Sequence, residues 1–112
     1  MIIEIIVLNY LSEHASVPVY LERPARKPPR FILVEKTGSG RSDHLNEATI
    51  AVQSWAPRLT EAAALNEEVK TLMDNLIELD SVSRSQLNSD YNFTNTADKQ
   101  YRYQAVYDIT HY

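Results

Sequence analysis

The chain has 112 residues, 44% of them hydrophobic and 23% charged, with a formal net charge of −4. This is one domain's length and the composition of a chain that buries a core, which excludes a second independent domain and an intrinsically disordered polymer. The complete lack of cysteine excludes disulfides, thiolate metal sites and cysteine nucleophiles, and the acidic balance argues against a dedicated nucleic-acid binder, which carries a basic footprint.

The charge is uneven. Residues 1–58 hold seven Lys/Arg against six Asp/Glu, and residues 59–112 hold four against nine. Most of the positive charge lies between Arg23 and Arg41, where Glu35 is the only acid. The apolar start, Met1 to Leu11, lacks a basic region ahead of it, is interrupted by Glu4, and leads to no small-residue cleavage site. No stretch approaches the ~20 apolar residues of a membrane span. A soluble protein made in the cytoplasm is expected.

In chain order, Ile2 to Ala15 places Ile3, Val7, Tyr10, Leu11 and His14 on one helical face. The run lasts over ten residues without a turn signal, so the spacing predicts an amphipathic helix; its β-branched content leaves a strand as the alternative. Val17 to Glu22 alternates and predicts a short strand, which Pro18 confines to an edge or a strand start. RPARKPPR at 23–30 predicts an exposed extended loop, because three prolines block helix and ladder alike. Phe31 to Thr37 and Leu45 to Trp55 predict the two strands of a hairpin. Its tip is 37–43, TGSGRSD, which contains the only two glycines.

Ala56-Pro57 predicts a helix start, with Thr60 as its cap. The stripe Ala62, Leu65, Val69, Leu72, Leu76 and Leu79 then steps by three and four over about twenty residues. Gln86 to Lys99 is polar and predicts a long loop pinned by Tyr91 and Phe93. Gln100 to Thr110 predicts a last strand with Tyr101, Tyr103, Ala105, Tyr107 and Ile109 on one face. The expected fold is a single α+β domain over 1–112. Its order is helix-strand-strand-strand-helix-strand: an antiparallel or mixed four-stranded sheet packed with two helices.

The residues announce no catalytic apparatus. His14, His44 and His111 form no HxH or HExxH pair, so no metal ligand set can be named. Asp43-His44 beside Ser39 and Ser42 has the residue types of a nucleophilic triad, but a triad is defined by spatial roles and adjacency does not supply them. Gly38-Ser39-Gly40-Arg41 resembles a phosphate-cradling loop only superficially. It lacks the Lys-Ser/Thr pair, and no helix N-terminus follows it. No acid–base carboxylate pair stands out. The expectation is therefore a protein that is not an enzyme and takes no cofactor. The basic loop (Arg23, Arg26, Lys27, Arg30) reads as solvated, or as a contact for an acidic protein surface, and no aromatic is interleaved in it for base stacking. With Ser39 and Arg41 of the hairpin tip it forms the candidate protein-interaction loops. Trp55, Tyr101, Tyr103 and Tyr107 read as core, or as interface aromatics.

Five segments carry a family resemblance: VPVYLE at 17–22, FILVEKTG at 31–38, AVQSWA at 51–56 leading into EAA at 61–63 and LNEEV at 65–69, LNSDYNFT at 87–94, and YRYQAVYD at 101–108. In that order they resemble the tail terminator family of siphophages and prophages of Gram-positive bacteria, the tail-completion or tail-to-head joining proteins. The resemblance implies a small α+β fold that assembles as a hexameric ring in the virion, at the junction of tail and head. The ring caps the tail tube and offers a surface to the head connector. Its implied partners are further copies of itself, the tail-tube protein and the head-completion or connector protein. It implies no membrane and no specific nucleic-acid binding, although DNA passes through the ring. Assembly takes place in the host cytoplasm. Two rival readings are a head-completion adaptor and a small cytoplasmic regulator or nucleic-acid-binding protein.

Overall fold

A computed structural model describes residues 2–94 and 100–112. Helix α1 spans Ile3–His14, and strands β1, β2 and β3 span Val19–Tyr20, Phe31–Ser42 and Leu45–Ala56. Helix α2 spans Leu59–Asp74 and tightens into a 3₁₀ turn at Asn75–Glu78. Strands β4, Val82–Asn92, and β5, Tyr101–His111, complete the chain. The sheet has five strands in the order β1-β2-β3-β5-β4. The β1–β2 pair is parallel and the other three pairs are antiparallel. The α+β class with two helices is as expected, but the expected four-stranded sheet and element order are corrected to five strands and helix-strand-strand-strand-helix-strand-strand.

The correction lies in 82–92, which overlaps the first half of the loop expected over 86–99. This strand is almost wholly exposed, so no buried face imprints an alternating pattern on it. Its strand character comes from a ladder with β5 that runs from Val82 opposite His111 to Asn92 opposite Tyr103. Residues 95–99 of the expected loop lie outside the described residues. The expected strand at 17–22 shrinks to the edge pair Val19–Tyr20, consistent with Pro18 at its start.

The hairpin turn also moves. Strand β2 continues through both glycines to Ser42, which pairs with Leu45. The turn is Asp43-His44, at φ 50° and 68°. Two consecutive left-handed residues make the turn whose twist matches the flanking strands. Neither glycine has positive φ. Gly38 instead sits at a register shift after Lys36, where a small residue suits an irregular strand.

Both helices pack on one face of the sheet. Ile3, Val7, Tyr10 and Leu11 of α1 and Leu65, Val69, Met73 and Leu76 at α2 meet Ile32, Val34, Ile50, Val52, Ala105, Tyr107 and Ile109. Burying each such side chain contributes ~1.5–3 kcal/mol, so this cluster supplies most of the driving force. The α2 stripe holds, with Met73 buried and Leu72 and Leu79 at its margin. Thr60 is not the cap: Arg58 occupies that position and makes no side-chain capping bond. The regular helix stops at Asp74 because the next backbone N–H is shared among several carbonyls and the chain tightens.

His44 carries a Cβ into the left-handed region, where only glycine meets no steric cost. His44→Gly removes that penalty and is expected to stabilise the fold by about 1 kcal/mol, read as a raised midpoint in urea unfolding. An unchanged or lowered midpoint would show that the turn stores no strain at this position.

Candidate functional site

The sheet face opposite the helices carries a second, smaller cluster of Phe31, Leu33 and Trp55, flanked by Tyr20. Register makes it. Phe31 of β2, Trp55 of β3 and Arg102 of β5 are direct cross-strand neighbours. Phe31 and Trp55 stack with ring centres 5.2 Å apart and planes at 14°. Tyr20 meets the edge of Phe31 at 6.0 Å. Trp55 is fully buried although no helix covers this face.

Cations cover it. The Arg23 guanidinium lies 4.8 Å from the indole centre, the Lys27 ammonium 5.4 Å and the Arg102 guanidinium 4.6 Å. The proline-rich loop 23–30 therefore runs over the outer sheet face, with its charged side chains against the ring quadrupole. Arg102 also lies 4.8 Å from the Phe93 ring, and its Nε donates to the Phe93 carbonyl at 2.7 Å. Phe93 meets Tyr91 edge-on at 5.9 Å. One row of side chains thus runs Tyr20, Phe31, Trp55, Arg102, Phe93 across the sheet.

A second row lies beside it, also set by register, with Leu33, Gln53, Gln104 and Tyr91 opposite one another. The Trp55 indole N–H donates to Gln53 Oε1 at 3.1 Å. Gln53 Nε2 donates to Gln104 Oε1 at 2.9 Å, and Gln104 Nε2 donates to the Tyr91 hydroxyl at 2.5 Å. The chain of donors fixes the amide orientations and holds the exposed Tyr91 ring in place.

Strand β4 is anchored from the helix side. Lys70 of α2 lies 2.8 Å from Asp90, and Asn66 Nδ2 donates to Asp90 at 3.1 Å. Hydrogen bonding to Lys70 lowers the Asp90 pKa below the usual carboxylate range, against the opposing effect of desolvation. The bonds to Asp90 and Glu67 raise that of Lys70. Nearby, the Tyr107 hydroxyl lies 2.9 Å from Asp74 Oδ1 and 3.1 Å from the Lys70 carbonyl. Burial, then Asp74, pushes the phenol's pKa well above its ordinary value.

The structure thus brings together only part of the sequence-derived candidate set. Arg23 and Lys27 meet Trp55, whereas Arg30 turns to Glu61 of α2 at 2.5 Å and Arg26 is exposed. Ser39 and Arg41 lie on the exposed outer half of β2, where Arg41 Nε donates to Asn46 at 3.2 Å. Strands of twelve residues put that end roughly 35 Å from Phe31. Trp55 and Tyr107 are buried within the chain, Tyr103 is half-buried and Tyr101 is exposed. Arg102, Gln53 and Gln104 were missed as site residues. The signal for them was the outward set of the alternating strands, and for Tyr91 and Phe93 their two-residue spacing in a polar stretch.

A shallow cleft of about 380 Å³ at the other end of the same face is lined by Glu47, Thr49, Arg84, Gln86 and Asp108, among others. Among the described residues no group of three His, Asp or Glu side chains converges as a metal set. No described helix is long and apolar enough to cross a membrane. Compared with known protein families and with curated protein sequences, the chain matches none.

The Asp90 anchor has a defined pH dependence. Because its folded pKa is lowered, its contribution is complete above the ordinary carboxylate range and is lost as pH falls through the lowered folded value. Lys70, raised, contributes fully below the ordinary lysine range and loses that contribution as pH rises through its raised folded value. Asp90→Asn is expected to cost about 1 kcal/mol at pH 7 and to flatten the acid limb of stability against pH, measured by urea unfolding from neutral to acid. An acid limb as steep as that of the parent chain would assign it to other carboxylates.

Proposed function

We propose that the protein is a tail-terminator-like virion component that closes into a ring, caps the phage tail tube and joins it to the head. The resemblance in residue order suggests the family, and one structural observation supports it: both long edges of the sheet are open and run in opposite directions. Strand β1 pairs with β2 only at Ile32 and Leu33, which leaves the side of 34–42 away from β3 without a strand neighbour among the described residues. Strand β4 is the last strand on the other side.

Along the order β2-β3-β5-β4 every pair is antiparallel, so β2 and β4 are themselves antiparallel. Rotating copies about an axis parallel to the strands sets β4 of one against β2 of the next, again antiparallel. This is a heterologous contact of the kind that generates closed rings. Unpaired strand edges are templates for such pairing. Exposed apolar side chains flank both: Ile2, Ile5 and Leu21 by the β2 edge, and Leu87 and Tyr91 on β4. Six copies, with tail tube below and head connector above, is the assembly this reading carries.

Electron microscopy of lysates from a phage deleted for this gene is the test. Overlong or irregular tails beside filled heads, restored to length by added protein, are expected. Normal-length tails lying free beside heads that leak DNA would move the protein to the head side of the joint. Leu87→Lys, which puts a charge on the β4 edge, is expected to leave the monomer's unfolding midpoint within about 0.5 kcal/mol and to abolish the restoration. Full restoration by Leu87→Lys would remove the β4 edge from the ring contact.

A further inference from the structure

We infer that copies of this chain join in one defined register, in which Leu87 of one copy enters the apolar groove between α1 and the β2 edge of the next and Arg84 reaches Glu47 across Gly40. The inference rests on the ring contact proposed above. It adds the level at which the two edges meet and the side chains that fix it.

The sheet's own rows set the level. Residues paired across the strands line up as Lys36, Ile50, Tyr107 and Leu87 in one row, and as Gly38, Thr49, Asp108 and Gln86 in the next. Gly40, Glu47, Thr110 and Arg84 form a third. Rotation about an axis parallel to the strands leaves height along them unchanged. A row of one copy therefore continues into the same row of the next. Leu87 arrives beside Lys36, Gln86 beside Gly38 and Arg84 beside Gly40.

On the helix side, both partners are apolar at that level. Leu87 shares its row with the buried Tyr107 and is itself exposed on the last strand. Beside Lys36 on the opposite edge, the exposed Ile2, Ile5 and Leu21 line a groove of about 270 Å³. Leu21 and Glu22 line it together with Val34 and Glu35, so the chain after β1 takes up the edge to that point and 36–42 is what a partner strand can use. Strand β4 matches this limit. Its register shifts just after Leu87, and a bulge bends a strand, so 82–87 pairs while the rest turns aside.

On the outer side, the same level is complementary in charge. Glu47 is exposed and makes no ion pair among the described residues. Arg84 is exposed, and its guanidinium turns to Gln86 Oε1 of its own strand, which leaves the rest of the fork unused. Between them in the assembled row stands Gly40, where a Cβ would meet nothing within 4 Å. Two strand spacings, ~10 Å, separate the two backbones, and extended Arg and Glu side chains span that over a residue with no side chain. Within one copy the same two residues flank Thr110 and do not pair. Main-chain bonds supply the attraction in such strand addition, and the charges choose the register.

The chain has no cysteine, so an introduced pair reports on this contact alone. In the inferred register Gly38 and Gln86 of adjacent copies are direct antiparallel neighbours, ~4.5–5.5 Å apart at Cα, which a disulfide bridges. Inside one copy three strand spacings, ~14 Å, part them. Both residues are exposed and Gly38 has no positive φ, so Gly38→Cys/Gln86→Cys is expected to keep the parent's urea midpoint. The variant is oxidised as concentrated purified protein, and in lysates of the deleted phage to which it has been added. A non-reducing gel is expected to show a ladder of dimers, trimers and higher species, because each copy presents both edges, while neither single variant passes a dimer. Adding Glu47→Arg is expected to slow the ladder about fivefold, and adding Arg84→Glu to that to restore it. No ladder in either setting, or an equal one from Gly40→Cys/Gln86→Cys, one row out of level, would overturn the register. Slowing that Arg84→Glu leaves unreversed would overturn the ion pair. A ladder in purified protein without restored tails would end the tail reading and keep the register; restored tails without a ladder would do the reverse.

Discussion

Strand β3 is buried on both faces over its second half, and the rest of the molecule is arranged by what it must cover there. On one side Ile50 and Val52 lie under the two helices, joined by Tyr107 and Ile109 of β5. On the other side Gln53 and Trp55 have no helix above them, yet both are buried. A bare indole on a solvated sheet face would expose one of the largest apolar surfaces in the chain. Three devices prevent that: the Phe31 stack, the loop that lays Arg23 and Lys27 over the ring, and Arg102 from the neighbouring strand. The loop and Arg102 leave charged groups outermost, so the covering of Trp55 and the positive patch are one structure with two consequences.

The polar interactions divide the same way. On the helix side, Lys70, Asn66, Asp90, Tyr107 and Asp74 tie α2 to β4 and β5. On the outer side, the donors run from the Trp55 N–H through two glutamine amides to the Tyr91 hydroxyl. The two networks grip β4 from opposite faces, at Asp90 and at Tyr91. That is how an almost wholly exposed edge strand holds its position without burying much apolar area. It also leaves the strand's outer edge without a strand neighbour among the described residues, which is the feature on which the ring reading depends.

The candidate site was half legible. The basic loop stood out by charge and proline content, and Trp55 by being the only tryptophan, but nothing in their spacing joins them. Residues 23 and 27 meet residue 55 because β2 and β3 pair with Phe31 opposite Trp55, and residue 102 joins because β5 pairs on β3's other side. The loop itself holds no aromatic residue. Tertiary structure supplies those rings from β3 and β4 instead, so the local sequence was the wrong place to look.

The sequence by itself determined the second helix and its buried stripe, the two hairpin strands and the last one, and the α+β class, and it favoured helix over strand for the first element. In each, a buried face repeats at 3.6 or 2 residues, and burial is what writes that pattern. Only the tertiary structure decided that 82–92 is a strand, since an exposed edge takes its conformation from the backbone bonds of its neighbour rather than from its own side chains. It likewise decided that the hairpin turns at Asp43-His44 and not at the glycines. Turn position follows the register that buries Ile32, Val34, Ile50 and Val52 together, and two residues tolerate left-handed backbone to satisfy it. And it alone decided the site, because a cluster drawn from residues 20, 23, 27, 31, 55, 93 and 102 exists only where strand register brings distant segments to one face.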